Sequence, residues 1–177
     1  MISGKYVVLR SVRPNDYPDI LRWQNDPDIF YWMDYTHPFA LEDVIESERN
    51  AVQEGHPFLI EANGKGIGRV GLNNFRPRDG LAALYIFVGE KIEWGKHLGL
   101  DALMATLVFG FDYLELRMIE LWMLDGNERA RHMYKTAGFI EEARLPARSL
   151  KAGVFVDHVW MSVTREAFAE ARALYGI

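Results

Sequence analysis

The chain has 177 residues, a length that suits one globular domain with its own hydrophobic core. Hydrophobic residues make up 49% and aromatic residues 13% of it, which excludes disorder as its main state. A formal charge of -5 without a Lys/Arg run argues against a nucleic-acid binder, and the absence of cysteine excludes disulfides, thiolate metal sites and cysteine catalysis.

The first half of the chain mixes strands and helices. Its predicted elements are, in chain order, a strand at Lys5–Arg13, a helix at Pro14–Trp23, a loop at Asp26–Ala40, a helix at Leu41–Glu54, and strands at Phe58–Ala62, Ile67–Phe75 and Leu81–Val88. Asn63-Gly64 and Arg78-Asp79-Gly80 are turn sequences that join the last three strands as hairpins.

The second half begins with a helical apolar stripe from Leu100 to Leu114, at intervals of three and four residues. After it we predict a strand at Met118–Leu124, a helix at Glu128–Ala137, strands at Phe139–Ala143 and Val154–Val163, and a helix at Arg165–Tyr175. This alternation predicts one α/β (α+β) domain over residues 1–177 with a mixed sheet. No signal peptide and no membrane-spanning stretch is visible, so we expect a cytoplasmic protein without a membrane partner.

The first chemical signal is the connection between the strand ending at Val88 and the helix beginning near His97. Gly95 and Gly99 let the backbone approach a ligand closely, Lys96 adds a positive charge, and the amides at a helix start favour a phosphate or pyrophosphate. A plain strand-to-helix connection with turn glycines would have the same sequence, so this signal alone does not decide.

The second signal is the segment from Asn127 to Phe139. Asn127 is a good N-cap and Gly138 a good helix-ending glycine. Tyr134 falls on the apolar side of this helix, which carries its hydroxyl toward the sheet. A core tyrosine whose hydroxyl bonds to the backbone is the alternative interpretation.

Together these motifs resemble the GNAT superfamily of N-acetyltransferases, and within it the Rim-type ribosomal-protein N-acetyltransferases. Trp94-Gly95-Lys96-x-x-Gly99 resembles the family's pyrophosphate loop, and Asn127-x-x-Ala130-x-x-x-Tyr134-x-x-x-Gly138-Phe139 resembles the second half of its cofactor site. Val7-Val8-Leu9-Arg10 resembles its first strand, and Gly153-x-x-x-Asp157 its last hairpin. The sequence departs from the pattern at His97, where the family usually has glycine, and a Cβ there would crowd the loop.

The resemblance implies a GNAT-like single domain. Its sheet is mixed but mostly antiparallel, has six to seven strands, is splayed in the middle, and is flanked by about four to five helices. It implies acetyl-CoA as co-substrate, an amine acceptor, no metal and no nucleic-acid partner, with a homodimer as one option. The implied cofactor contacts are Phe87, Val88 and Gly89 along the pantetheine, Trp94, Gly95, Lys96, His97, Leu98 and Gly99 around the pyrophosphate, and Asn127 on the pantetheine. Tyr134 would lie near the thioester sulfur as the catalytic residue.

The expected reaction is direct attack of a primary amine on the thioester, for which about one amine in 2,500 is neutral at pH 7. A base is therefore expected. The candidates by residue type are Asp34, Glu61, Glu90, Glu93 and Glu120, each of which would equally suit a solvated surface. The histidines show no metal-ligand spacing.

In the resemblance, the loop Asp26–Ala40 caps the acceptor cleft. Its aromatic and acidic residues suit a cationic amine, with Trp32, Asp34 and Tyr35 as substrate contacts, and a loop pinned by its own apolar side chains is equally compatible. A peptide N-terminus ranks above a polyamine, because no dense acidic cluster is present, and antibiotic amines stay open. Two rival functions are a non-catalytic acyl-CoA-binding module and a nucleotide-phosphate-binding domain.

Overall fold

The computed structural model describes residues 1–177 as an eight-stranded mixed sheet with six α-helices. The strands are β1 (Ile2–Ser3), β2 (Val8–Arg10), β3 (His56–Ala62), β4 (Lys65–Arg76), β5 (Leu81–Val88), β6 (Met118–Leu124), β7 (Ile140–Lys151) and β8 (Val154–Thr164). The helices are α1 (Tyr17–Gln24), α2 (Pro27–Trp32), α3 (Leu41–Glu54), α4 (Leu98–Val108), α5 (Glu128–Thr136) and α6 (Arg165–Tyr175). None of these helices combines the length and the apolar character that a bilayer crossing requires.

Two elements exceed the predicted counts of six to seven strands and four to five helices. The extra strand is β1, a two-residue segment that pairs antiparallel with β2 and is too short to show a sequence pattern. The extra helix is α2, which replaces part of the loop predicted at Asp26–Ala40. Its start is marked by Asp26, whose side chain accepts a hydrogen bond from the Asp28 amide at 3.0 Å, and by Pro27 in the first turn. Local capping outweighs the missing apolar periodicity here.

The sheet has the order β1-β2-β3-β4-β5-β6-β8-β7, and every neighbouring pair is antiparallel except β5 with β6. That parallel pair is held over a short register only, Leu81–Ala83 with Met118–Glu120. Beyond it, β5 continues to Val88 and β6 to Leu124 with no pairing between them. The sheet is therefore split in the middle, as the resemblance implies.

Helices cover both faces of the sheet, with unequal cores beneath them. Under α4, α5 and α6 lies a cluster of 27 buried residues that includes the fully buried Leu103 and Leu107. Under α1, α2 and α3 lies a cluster of six that includes Ile20 and Trp23. Residues of β6 alternate between the faces, since Leu121 belongs to the larger cluster and its neighbours do not.

Asp101 on α4 ties the chain's two ends to the larger core. The Asp101 carboxylate is 1% exposed and accepts hydrogen bonds from the amides of Lys5, Tyr6 and Val7 at 2.9, 2.7 and 2.9 Å. It also accepts one from the Tyr175 hydroxyl of α6 at 2.9 Å. Because a buried carboxylate needs such partners, the N-terminal segment and α6 are fixed against α4.

Candidate active site

The split between β5 and β6 opens into a cleft of about 590 Å³, lined mainly by apolar side chains. The sequence-predicted residues that line it are Trp32, Phe87, Val88, Trp94, Gly95, His97, Leu98, Gly99, Asn127 and Tyr134. Those that do not line it are Gly89, Asp34, Tyr35 and Lys96. Most of the predicted site thus comes together around one opening, from segments distant in the chain.

The inner edge of β5 forms one wall of the cleft. At its end the Val88 carbonyl accepts a hydrogen bond from the Trp94 indole N–H at 2.7 Å. A Cβ at Gly89 would lie 2.2 Å from Trp23 Cγ, so only glycine lets Trp23 pack against this end of the strand. Gly89 therefore shapes the wall from outside the cleft.

The loop from Gly89 to His97, here the β5–α4 loop, brings a helix start to the cleft. Gly95 and His97 both have left-handed backbones, with φ of 80° and 61°. His97 is the N-cap of α4 but makes no side-chain cap, so the first amides of α4 have no partner within the helix. The His97 side chain is exposed and does not crowd the loop. Its departure from the family pattern appears as backbone strain, worth about 1 kcal/mol.

Arg129 is a cleft residue that the sequence analysis missed. Its guanidinium carbon lies 3.8 Å from the centre of the Trp94 ring, and no carboxylate pairs with it. Lys96, predicted to add charge, is exposed and bridged to Glu93 at 3.0 Å. Arg129 is thus the uncompensated cation at this mouth. A signal was present, since a cation in the first turn of a helix opposes the helix dipole.

Two residues of the α5 segment face the cleft as predicted. The Asn127 side-chain oxygen caps α5 by accepting from the Ala130 amide at 3.2 Å, and its side-chain nitrogen has no protein partner. Tyr134 is 7% exposed, and its hydroxyl makes no hydrogen bond to the protein. Burial raises the pKa of Tyr134 above its ordinary value, so the phenol stays neutral. The alternative of a core tyrosine bound to the backbone finds no partner here.

The opposite end of the cleft is aromatic. Trp32 and Met33 from the end of α2 face Trp122 of β6 and Trp160 of β8 across it. The Trp160 indole N–H is buried without a hydrogen-bond partner. Of these residues only Trp32 was predicted. The others stand on strand positions whose side chains alternate away from the main core, and that alternation could have identified them.

Asp34 is engaged by the protein and lies outside the cleft lining. Its carboxylate contacts Lys151 Nζ at 2.6 Å and accepts a hydrogen bond from the Ser149 hydroxyl at 2.6 Å. Ser149 also lies 2.7 Å from His158 Nε2, and the His158 ring stacks on Trp122 with 4.0 Å between centroids. This group links the chain just after α2 to the β7–β8 hairpin. Burial lowers the pKa of His158 and favours its neutral form.

Tyr35 packs within its own segment, between Phe30 and Phe39, with ring centroids 6.1 and 4.8 Å away. Burial raises the pKa of Tyr35 to about 12. For this residue the structure matches the alternative in which the segment is pinned by its own aromatic side chains.

The five candidate bases separate by position. Glu61 and Glu90 each pair with an arginine outside the cleft, and Asp34 is held as described. Glu93 and Glu120 line the cleft, Glu93 on the β5–α4 loop and Glu120 on β6.

A parallel strand pair that separates beside a free helix start defines a class of folds able to hold an extended ligand with an anionic end. The family model described as acetyltransferase (GNAT) domain matches residues 7–140. The chain therefore belongs to the GNAT acetyltransferase family, which confirms the resemblance drawn from its motifs. It is an acetyltransferase, and acetyl-CoA is its co-substrate.

Individual relatives are distant but match over nearly the full length. The spermidine N(1)-acetyltransferase of Escherichia coli strain K12 is 24% identical, with 95% of this chain and 91% of that protein covered. The crystal structure of spermidine N-acetyltransferase from Vibrio cholerae, in complex with CoA and spermine, superposes with a TM-score of 0.85 at 21% identity, covering 94% of this chain and 99% of that one. Mycobacterium smegmatis RimJ, in complex with CoA-disulfide, gives a TM-score of 0.81 at 22% identity, covering 96% and 89%. At these identities the structures show the shared fold.

Proposed function

We propose that this enzyme transfers the acetyl group of acetyl-CoA to a primary amine, by direct attack of the amine on the thioester with both substrates bound. The observation that carries the proposal is the cleft itself, which joins an unpaired strand edge, a free helix start and the unbonded hydroxyl of Tyr134. These are groups that an amide-containing arm, a diphosphate and a leaving thiolate each need.

The cofactor would lie along the β5 wall. The free edge of Phe87–Gly89 would pair with the pantetheine amides, and the indole of Trp94, which now holds the Val88 carbonyl, would turn aside for it. The amides of Leu98 and Gly99 at the start of α4 suit the diphosphate. The unpartnered side-chain nitrogen of Asn127 would donate to a pantetheine carbonyl.

Tyr134 would act at the sulfur. A leaving thiolate resembles cysteine, with a pKa of roughly 8.5, against about 10 for an unperturbed tyrosine. The raised pKa of Tyr134 makes full proton transfer less favourable still. Tyr134 is therefore proposed to donate a hydrogen bond that stabilises the developing thiolate.

For the acceptor we propose a peptide N-terminus or a small-molecule amine with one positive charge. The acceptor end is walled by Trp32, Trp122 and Trp160, which suit an alkylammonium with an apolar neighbour. A polyamine is the second candidate, favoured by the relatives that act on spermidine. Against it, the carboxylates lining the cleft, Glu93 and Glu120, are both already paired with cations.

The test follows release of free CoA thiol from acetyl-CoA with three amines: a peptide with a free N-terminus, benzylamine and spermidine. We expect release with at least one of the first two and its loss in Tyr134→Phe. Tight CoA binding with no release for any amine would instead identify a binding module. Failure to bind CoA at all, measured by calorimetry, would leave only a phosphate-binding domain.

A further inference from the structure

The cleft passes through the sheet, so its two walls face different compartments. Along β6, Ile119, Leu121 and Met123 belong to the large core cluster, and so does Tyr134. Side chains alternate along a strand, so Glu120 projects from the opposite face, toward α1–α3. Glu120 and Tyr134 therefore approach the split from its two opposite sides.

Glu120 lies at the apex of the split. It pairs with Ala83, the last pair before β5 and β6 separate. The free edge of β5 from there to Val88 is about 16 Å long, at about 3.3 Å per residue. A cofactor arm whose diphosphate lies at the start of α4 and whose amides pair near Val88 therefore extends along this edge toward Glu120.

The Glu120 carboxylate is held in one orientation and keeps a free oxygen. Arg76 of β4 donates from Nη2 to Glu120 Oε1 at 2.7 Å, and no protein group donates to Oε2. The Glu120 side chain is 25% exposed, so it is open to the cleft and partly shielded from bulk water. An oriented carboxylate with one free oxygen is the geometry needed to accept a proton.

The other candidate bases lack this combination. Asp34 is occupied by Lys151 and Ser149, and Glu93 lies on the β5–α4 loop at the diphosphate end and is bound to Lys96. Glu120 alone among the five candidates both lines the cleft and lies at the end where the thioester would be.

We propose that Glu120 is the general base of acetyl transfer and that Arg76 is its positioning residue. The proposal rests on the acetyltransfer function given above. The amine nitrogen bonds to the acetyl carbon, and the C–S bond breaks. The sulfur leaves with the electron pair and is stabilised by Tyr134 from the other face. The surplus N–H proton passes to Glu120 Oε2, directly or through one water, and then to solvent, so that the products are the amide and CoA thiol.

The test measures kcat and kcat/KM against pH for wild type, Glu120→Gln and Glu120→Ala, with the best amine of the three-amine panel. We expect kcat/KM to fall about 100-fold in both variants, and the ionisation on the acidic limb of the wild-type profile to disappear. Added formate should restore part of the activity of Glu120→Ala and none of that of Glu120→Gln, because only alanine leaves room for the missing carboxylate.

The charged and titratable groups on this face are Arg76 of β4, Tyr85 of β5, Glu142 of β7 and His158 of β8. Glu142 is the matched control. It does not line the cleft, and its carboxylate accepts from the hydroxyl of Ser162, the residue paired with Glu120. Glu142→Gln should keep the wild-type profile. Arg76→Ala should lower kcat about tenfold with little change in KM for acetyl-CoA, and should move the acidic limb.

Glu120→Gln with kcat/KM within threefold of wild type, or with the acidic limb intact, would overturn the assignment while the acetyltransfer function stood. A wild type that binds CoA but acetylates no amine would overturn both. Melting temperature and CoA affinity of Glu120→Gln should match wild type, and a large drop in either would assign Glu120 a structural role instead.

Discussion

The face of the sheet under α4–α6 buries one continuous apolar cluster, whereas the face under α1–α3 buries six apolar residues and adds an ion pair. In that pair Arg69 and Glu48 are 3% and 6% exposed and in direct contact. Arg69 also donates to the Phe58 carbonyl at 3.0 Å and lies 3.4 Å from the Tyr85 hydroxyl. The first face holds the cofactor helices, and the second faces the acceptor.

The difference separates stability from shape. Apolar burial is non-directional, so the α4–α6 face gains stability from area and tolerates side chains of similar volume. Buried charges contribute little net stability but require partners in fixed positions. The acceptor face is therefore held in one geometry by directional contacts, which suits a surface that must orient a small substrate.

Asp101→Ala tests whether the apolar face has a polar anchor, and it carries the largest expected effect. Removing the acceptor of three amides and one hydroxyl should cost about 4 kcal/mol, because these groups stay partly buried. Thermal denaturation should show a loss of about 10 °C. Asp112→Ala, which breaks an exposed pair with Arg172, is the control and should cost under about 1 kcal/mol. Equal losses in the two variants would contradict the anchor.

Glu48→Gln tests the ion pair of the acceptor face. Removing one partner leaves the Arg69 guanidinium buried and unpaired, which should cost about 3 kcal/mol in urea unfolding. The double variant Glu48→Leu, Arg69→Met should recover most of that loss, since no buried charge remains. If it recovers stability but loses acetylation, the pair serves geometry as argued. If the double variant is no more stable than the single one, the contrast between the faces fails.

Tyr134→Phe tests a residue of the apolar face whose importance is expected to be chemical. We expect kcat to fall about 30-fold, equivalent to about 2 kcal/mol, because one hydrogen bond to the thiolate is lost. The melting temperature should hold, since the hydroxyl has no protein partner to lose. Tyr113→Phe, at an exposed tyrosine, should leave both quantities unchanged. A matching drop in stability for Tyr134→Phe would mean that its hydroxyl is structural.

His97→Gly has the smallest expected effect, and it lies where the two faces meet. Glycine relieves the left-handed backbone of His97 and should add about 1 kcal/mol of stability, measured by urea unfolding. His97→Ala keeps the strain and should gain nothing. An equal gain in both variants would point to the imidazole and away from the backbone.

Local signals carried far in this chain, and the misses are short or compound. Turn residues at Asn63-Gly64, the cap at Asn127 and the helix Arg165–Tyr175 all appear as predicted. β7 extends to Lys151, well past its predicted end at Ala143, because two irregularities in its pairing with β8 interrupt the strand pattern. α2 was missed because its six residues carry a cap but no full apolar period.

The sequence by itself determined the elements, the large core and the two cofactor motifs, because caps, turns and apolar periods are written within a few residues of one another. Only the tertiary structure decided where β5 and β6 part, that Asp34 is held by Lys151, and that Arg76 orients Glu120. Those contacts join residues 44 to 117 positions apart in the chain. No local pattern encodes them, since each depends on how the strands and helices pack once they have formed.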